Sequence, residues 1–100
     1  MNVVWTDNAV SHLDSIYAYV AQNSPEYALD VIDRITRRSR QIAAFSLSGR
    51  RVPEYDVAQV REVYEAPYRI IYHIAPDQIE IIAVLHASMN VLTQPQTNEL

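Results

Sequence analysis

Residues 59–86 constrain the fold most, because they read as three short strands joined by two tight turns. The turns are predicted at Ala66-Pro67 and at residues 75–78, where proline interrupts the apolar pattern. Strands joined by such short turns must pair antiparallel. The third strand, at residues 79–86, is apolar on both faces apart from Glu80, which predicts a position inside the sheet. The rest of the chain must therefore cover this sheet or extend its edge.

A short strand at residues 2–5 and a first helix are predicted ahead of this sheet. Thr6 is a suitable N-cap, because its hydroxyl can accept a hydrogen bond from a free amide of the first turn. The helix then has an apolar face, which places His12 and Asp14 on the opposite side. That face consists of Leu13, Ile16, Tyr17 and Val20.

A second helix is predicted over residues 25–45, close behind the first. Asn23 is suited to end the first helix in the left-handed conformation, and Ser24 to cap the second. So short a junction predicts an antiparallel helical hairpin, followed by an irregular segment at residues 46–58. The expected fold is an α+β sandwich of order β-α-α-β-β-β, with the hairpin packed on a mainly antiparallel sheet. The apolar stripe of the second helix is Ala28, Ile32, Ile35, Ile42 and Phe45.

Composition limits what the chain can do chemically. A hydrophobic content of 49% over 100 residues suits one domain, expected at residues 1–92, with a polar tail at residues 93–100. The chain has no cysteine, its three histidines lack metal-ligand spacing, and it has one glycine. We therefore expect no metal and no cofactor. With no signal peptide and no membrane span in view, a cytoplasmic location is expected.

The positive charge is concentrated in one part of an acidic chain. The net charge is −4, all eight basic residues are arginine, and six of them lie between residues 34 and 51. Arginine favours bidentate contacts with carboxylate or phosphate groups. Both a solvated helix face and a binding surface for a partner fit this pattern. The candidate binding residues are Arg34, Arg37, Arg38, Arg50 and Arg51.

Arg61, Arg69 and His86 are the candidates for catalysis, because they lie on neighbouring predicted strands. Cleavage of RNA needs a base, an acid and cations for the phosphate, and histidine and arginine can supply these. A structural role is the alternative, since both arginines could pair with glutamates Glu62, Glu65 or Glu80 across strands. Spacing alone leaves both interpretations open.

A series of short motifs runs in order through residues 2–90. They are Trp5-Thr6-x-x-Ala9, Leu13-x-x-Ile16-x-x-Tyr19-Val20-Ala21, Ser24-Pro25-x-x-Ala28, Gly49-Arg50-x-Val52-Pro53-Glu54, Val60-Arg61-Glu62, Tyr68-Arg69-Ile70-Ile71-Tyr72 and Val84-Leu85-His86. Together they resemble the RelE/ParE superfamily, the toxins of type II toxin–antitoxin modules. The resemblance implies the same β-α-α-β-β-β core and a cognate antitoxin as partner, in a dimer or a heterotetramer.

Within the superfamily the chain is more similar to ParE than to RelE. RelE-like toxins, which cleave mRNA on the ribosome, commonly use sheet lysines and a late tyrosine, whereas this chain has no lysine and no tyrosine after Tyr72. The resemblance to ParE implies inhibition of DNA gyrase, with no defined catalytic residues. Met89 stands where members often carry arginine in an HxxR pattern. An attenuated toxin, or a non-toxic binding module, is therefore a third possibility beside the gyrase inhibitor and the mRNA interferase.

Overall fold

The computed structural model describes residues 1–89, which form two helices and five strands. The α+β fold with a helical hairpin on a mainly antiparallel sheet is confirmed, with one additional two-residue strand inside the segment predicted to be irregular. The predicted polar tail at residues 93–100 lies outside the described part of the chain. The elements are β1 Asn2–Trp5, α1 Asp7–Ala21, α2 Pro25–Ile42, β2 Arg50–Arg51, β3 Val60–Glu65, β4 Tyr68–Ile74 and β5 Gln78–His86.

The strands form one sheet in the order β1-β5-β4-β3-β2, so β5 has a neighbour on each side, as predicted. Three pairings are antiparallel and β1 runs parallel to β5. Between β4 and β5 the register shifts, so that Ile71 pairs with Ala83 and Tyr72 with Ile81. The unpaired residue is Ile82, and a bulge of this kind reverses the alternation of side chains beyond it. Ile81 and Val84 therefore both pack on the helix-covered face.

Helix α1 completes the hydrogen bonding of β5 where β1 ends. β1 reaches only as far as Ile81 of β5. Beyond that point, Asn8 donates to the Ile82 carbonyl at 2.8 Å and His12 Nδ1 accepts from the Val84 amide at 3.2 Å. The prediction that His12 lies on the outer side of α1 is thus wrong. β5 extends beyond the end of β1, and His12 faces the sheet because it accepts a hydrogen bond from a β5 amide that β1 cannot reach.

The predicted helix starts are confirmed, while both predicted helix ends need correction. Thr6 accepts from the amide of Ala9, and Ser24 accepts from the amide of Tyr27. Asn23 does not adopt a left-handed conformation, since within residues 1–89 only Asp56 has a positive φ among non-glycine residues, at 50°. α2 ends at Ile42 rather than at residue 45. As a result, the side chain of Phe45 is 70% exposed instead of continuing the apolar stripe.

The sheet is covered on both faces. The helices cover one face through an apolar cluster of Ala9, Val31, Ile35, Ile42, Val63, Ile70, Tyr72, Ile79, Ile81 and Val84. On the other face lies a smaller cluster of Val52, Val60, Ile71, Ile82, Ala83 and Leu85, with Tyr55 packed against it. Here the connection between β2 and β3 takes the place of a helix, so we call this the loop-covered face. Neither α1 nor α2 is both long and apolar enough to span a bilayer.

Candidate functional site

Arg69 lies at the centre of a buried ion network on the loop-covered face. Its Nε donates to Glu62 Oε1 at 2.6 Å, while Nη1 and Nη2 donate to the two oxygens of Glu54 at 2.8 and 2.9 Å. Nη1 also donates to the carbonyl of Met89 at 2.8 Å. The side chains of Arg69 and Glu62 are only 9% and 4% exposed. The network therefore joins β3, β4, the β2–β3 connection and the chain that leaves β5.

This network leaves Arg69 little capacity to bind a phosphate. Its guanidinium has five N–H groups, and four of them are already donated. Hydrogen bonding to Glu54 raises the pKa of Arg69 above its ordinary value, although burial alone would lower it. Arg69 therefore remains charged, and two carboxylates already balance that charge.

Arg61 lies on the opposite face of the sheet, where it braces the loop that follows α2. Its Nε donates to the Ala58 carbonyl at 3.0 Å and its Nη1 to the Gly49 carbonyl at 3.0 Å. A longer contact of 3.4 Å reaches the Leu47 carbonyl. Main-chain oxygens are thus the partners of Arg61 within residues 1–89, and a bracing role follows directly from this geometry.

The hydroxyl of Tyr72 holds the same loop from the core. It donates to the Ser46 carbonyl at 2.6 Å and accepts from the Gly49 amide at 3.1 Å. A Cβ at Gly49 would overlap this hydroxyl and lie 2.7 Å from the Glu62 carbonyl, so the approach requires glycine. Burial raises the pKa of Tyr72 above its ordinary value. The hydroxyl accordingly stays protonated and acts as a structural hydrogen-bonding group.

His86 is exposed at the far end of the helix-covered face. Its ring packs edge-on against Tyr68 with the ring centroids 6.1 Å apart, and its Nδ1 lies 2.9 Å from the Ser88 hydroxyl. In the sheet register His86 is opposite Tyr68, and Arg61 is opposite Tyr72. Tyr68 and Tyr72 are four positions apart on β4, which is roughly 13 Å along a strand.

The three candidate catalytic side chains are consequently not brought together. Arg61 and His86 lie at opposite ends of one face, and Arg69 lies on the other face. Of the predicted glutamate partners, Glu62 is the one that Arg69 uses, while Glu80 pairs with His73. Glu54, fifteen residues from Arg69 in sequence, was missed. Its position next to Pro53 in a loop carried no periodic signal from which the contact could be inferred.

Three of the five candidate binding arginines line one groove beside α2. The groove has a volume of about 450 Å³ and is lined by Arg34, Arg37, Arg38, Gln41 and Glu65. We call it the α2 groove. The other two candidates are elsewhere: Arg50 pairs with the buried Glu62, and Arg51 pairs with Asp56.

The groove carries both signs of charge. Arg34 lies 3.3 Å from Asp30 on its own helix and 3.9 Å from Glu65 of β3. Arg37 pairs with Asp33, whereas Arg38 donates to the neutral amide oxygen of Gln41 at 2.9 Å. Arg38 forms no ion pair with any residue from 1 to 89. In the same part of the chain there is no group of three or more residues that could hold a metal ion.

Comparisons with known proteins agree with this fold. Residues 3–91 match the family described as the ParE toxin of the type II toxin–antitoxin system parDE. A putative toxin, Y4kP, from Sinorhizobium fredii is 36% identical over 85 residues, covering 83% of this chain and 84% of the relative. Toxin RelE2 from Caulobacter vibrioides is 32% identical over 87 residues, covering 86% and 94%.

A solved structure gives the same result. A chain of the chromosomal ParDE toxin–antitoxin system from P. aeruginosa superposes with a TM-score of 0.74 at 25% identity, covering 88% of this chain and 97% of that one. The family match spans most of the chain, and the two relatives exceed 30% identity over most of their length. The chain therefore belongs to the ParE toxin family and is the toxin component of a type II toxin–antitoxin module, whose partner is an antitoxin.

Proposed function

We propose that this toxin inhibits DNA gyrase in the cytoplasm, without catalysing a reaction itself, and that binding of its antitoxin prevents this inhibition. The single observation that carries the proposal is the separation of Arg61, Arg69 and His86 over two faces of the sheet. An RNA-cleaving centre needs its acid, base and cations within hydrogen-bond reach of one phosphodiester. A toxin without such a centre acts by binding, and gyrase is the target that resemblance to ParE implies.

The second candidate is an mRNA interferase that acts on the ribosome. It is favoured by the relative named toxin RelE2, which is 32% identical to this chain. In such an enzyme His86 would be the general acid or base, because its ring is exposed while Arg69 is enclosed. The attenuated binding module is the third candidate, and a growth assay separates it from the other two.

The two activities are distinguished by testing the same purified protein in two assays. We expect the toxin to inhibit negative supercoiling of relaxed plasmid by gyrase, while transcripts on programmed ribosomes remain intact. The matched variant is His86→Ala, which changes an exposed side chain and should leave gyrase inhibition unchanged. Ribosome-dependent cleavage that is lost in His86→Ala would refute the gyrase proposal and support the interferase. Normal growth after induction, with neither activity, would support the non-toxic module.

The assembly with antitoxin is proposed to be a dimer or a heterotetramer. Light scattering coupled to size-exclusion chromatography of the co-expressed pair would measure its mass. A mass equal to one toxin alone, with antitoxin in a separate peak, would refute both the assembly and the neutralisation.

A further inference from the structure

An exposed apolar loop follows the residues of the α2 groove along the chain. Arg34, Arg38, Gln41 and Phe45 follow the i, i+4, i+7, i+11 spacing that keeps residues on one side of a helix. Although α2 ends at Ile42, the amide of Phe45 still donates to the Gln41 carbonyl at 3.3 Å, so one further turn carries Phe45 onward from the groove. Phe45 is 70% exposed and Leu47 is 69% exposed. We call these two residues the apolar tip.

The loop that presents the apolar tip is held in place from inside the fold. The Tyr72 hydroxyl forms hydrogen bonds with the Ser46 carbonyl and the Gly49 amide, which lie before and after Leu47 in the chain. The Ser48 hydroxyl and amide both donate to the Phe45 carbonyl, at 2.7 and 3.0 Å. Because the backbone of this loop is already ordered, a partner that binds the apolar tip does not have to pay for ordering the loop.

We propose that the α2 groove and the apolar tip together bind an acidic segment of the antitoxin, with an apolar residue of that segment packed between Phe45 and Leu47. The inference rests on neutralisation by an antitoxin, as proposed above, and is independent of the toxin's target. Arg38 receives a carboxylate directly, because it has no acidic partner from residues 1 to 89. Arg37, whose side chain is 59% exposed, exchanges its surface pair with Asp33 for the incoming acid at little cost.

The distribution of charge favours an acidic protein segment over a nucleic acid. Asp30, Asp33 and Glu65 lie among the groove arginines and would repel a continuous phosphate backbone. A peptide can place individual carboxylates against Arg37 and Arg38 and leave the acidic positions uncontacted.

The charge contribution is tested by reversing one arginine in the groove and one outside it. The antitoxin used is the purified antitoxin that is co-expressed and co-purified with this toxin, and binding kinetics are measured at ionic strengths of about 0.05 and 0.2 M. Arg38→Glu should slow association about tenfold at the lower ionic strength, with a smaller difference at the higher one. Arg40→Glu makes the same charge change on the same helix outside the groove and should alter association by less than about twofold.

The apolar contribution is tested with one substitution at two sites. Leu47→Ala should accelerate dissociation of the antitoxin about tenfold, since contacts of this type act mainly on the dissociation rate. Leu29→Ala is the matched control, because Leu29 is also exposed, at 60%, and lies on the opposite side of α2. Thermal unfolding followed by circular dichroism establishes that each variant is folded.

The outcomes separate this inference from the proposed function. Wild-type binding with the Arg38 and Leu47 variants equal to their controls would overturn the inference alone. Failure of the wild-type toxin to bind the antitoxin would overturn the neutralisation and the inference together. If the two variants keep antitoxin binding but no longer inhibit gyrase, the surface belongs to the target. Binding of single-stranded RNA is measured in the same way. If the wild-type toxin binds this RNA and the two variants do not, while antitoxin binding is unchanged, the surface binds nucleic acid and the inference is overturned.

Discussion

Replacing Arg69 with methionine should lower the free energy of unfolding by about 3 kcal/mol, because it leaves two carboxylates without their cation. Glu62 is 4% exposed and Glu54 is 14% exposed, so water cannot fully replace the four lost hydrogen bonds. Removing one partner of a buried ion pair costs about 3–5 kcal/mol. We take the lower end because Glu62 keeps its contact with Arg50. Methionine retains the apolar stem, which limits any cavity.

Urea unfolding followed by circular dichroism measures this loss. With a slope of about 1.5 kcal/mol per molar, the transition midpoint should fall by roughly 2 M, a large part of the stability of a small domain. Arg50→Met is the matched control, since Arg50 pairs with the same carboxylate from a side chain that is 70% exposed. Its cost should stay below about 1 kcal/mol.

A double-mutant cycle tests the reason for the effect. Replacing Glu62 with leucine in the Arg69→Met background removes the more buried of the two stranded charges and leaves Glu54, so the double variant should be about 2 kcal/mol more stable than the sum of the single effects predicts. If Arg69→Met unfolds at the same urea concentration as Arg50→Met, the network contributes nothing beyond a surface pair. The assignment of Arg69 to a structural role would then be wrong.

Three further changes test the loop and the sheet, and a fourth tests the family pattern. Gly49→Ala should cost about 2 kcal/mol in urea unfolding, because its Cβ would overlap the Tyr72 hydroxyl. Tyr72→Phe should cost about 1–3 kcal/mol, because a buried amide and a carbonyl lose their partner. Hydrogen bonding to His73 lowers the pKa of Glu80 in the folded protein. The ionised Glu80 carboxylate therefore stabilises the fold above the ordinary glutamate pKa of about 4.3, and this stabilisation is lost as the pH falls through the lowered pKa. Glu80→Gln should therefore cost about 0.5 kcal/mol at pH 7, and this cost should disappear once the pH falls below the lowered pKa of Glu80. Met89→Arg, at a side chain 39% exposed, should change stability by less than about 0.5 kcal/mol and strengthen growth inhibition if the HxxR arginine matters.

The same unfolding and growth measurements can contradict each of these four expectations. An unchanged midpoint for Gly49→Ala would mean that the loop moves away from Tyr72 without penalty. A Tyr72→Phe variant as stable as wild type would show that the loop needs no hydroxyl. A Glu80→Gln deficit that persists in acid, where Glu80 is protonated, would exclude the loss of charge as its cause. Equal toxicity of Met89→Arg and wild type would show that arginine is dispensable at that position.

Local patterns were sufficient for most of the secondary structure. Thr6 and Ser24 were identified as caps because capping depends on residues three positions apart. The internal position of β5 followed from its apolar character on both faces. The end of α2 was misplaced because Phe45 continues the helical spacing although the hydrogen-bonded helix ends at Ile42. Helix ends depend on what the following chain contacts, and here that chain is held by Tyr72 and Arg61.

By itself, the sequence determined the order of six of the seven elements, the faces of the strands and the resemblance to the RelE/ParE toxins, because each of these depends on spacing along the chain. Only the tertiary structure decided which charges meet. Glu54 reaches Arg69 across fifteen residues, and strand register places Arg69 on one face and Arg61 on the other. The groove beside α2 likewise exists only once the helix packs near Glu65. Periodicity specifies the face on which a side chain lies, whereas its partners depend on strand pairing and loop paths that bring distant residues together.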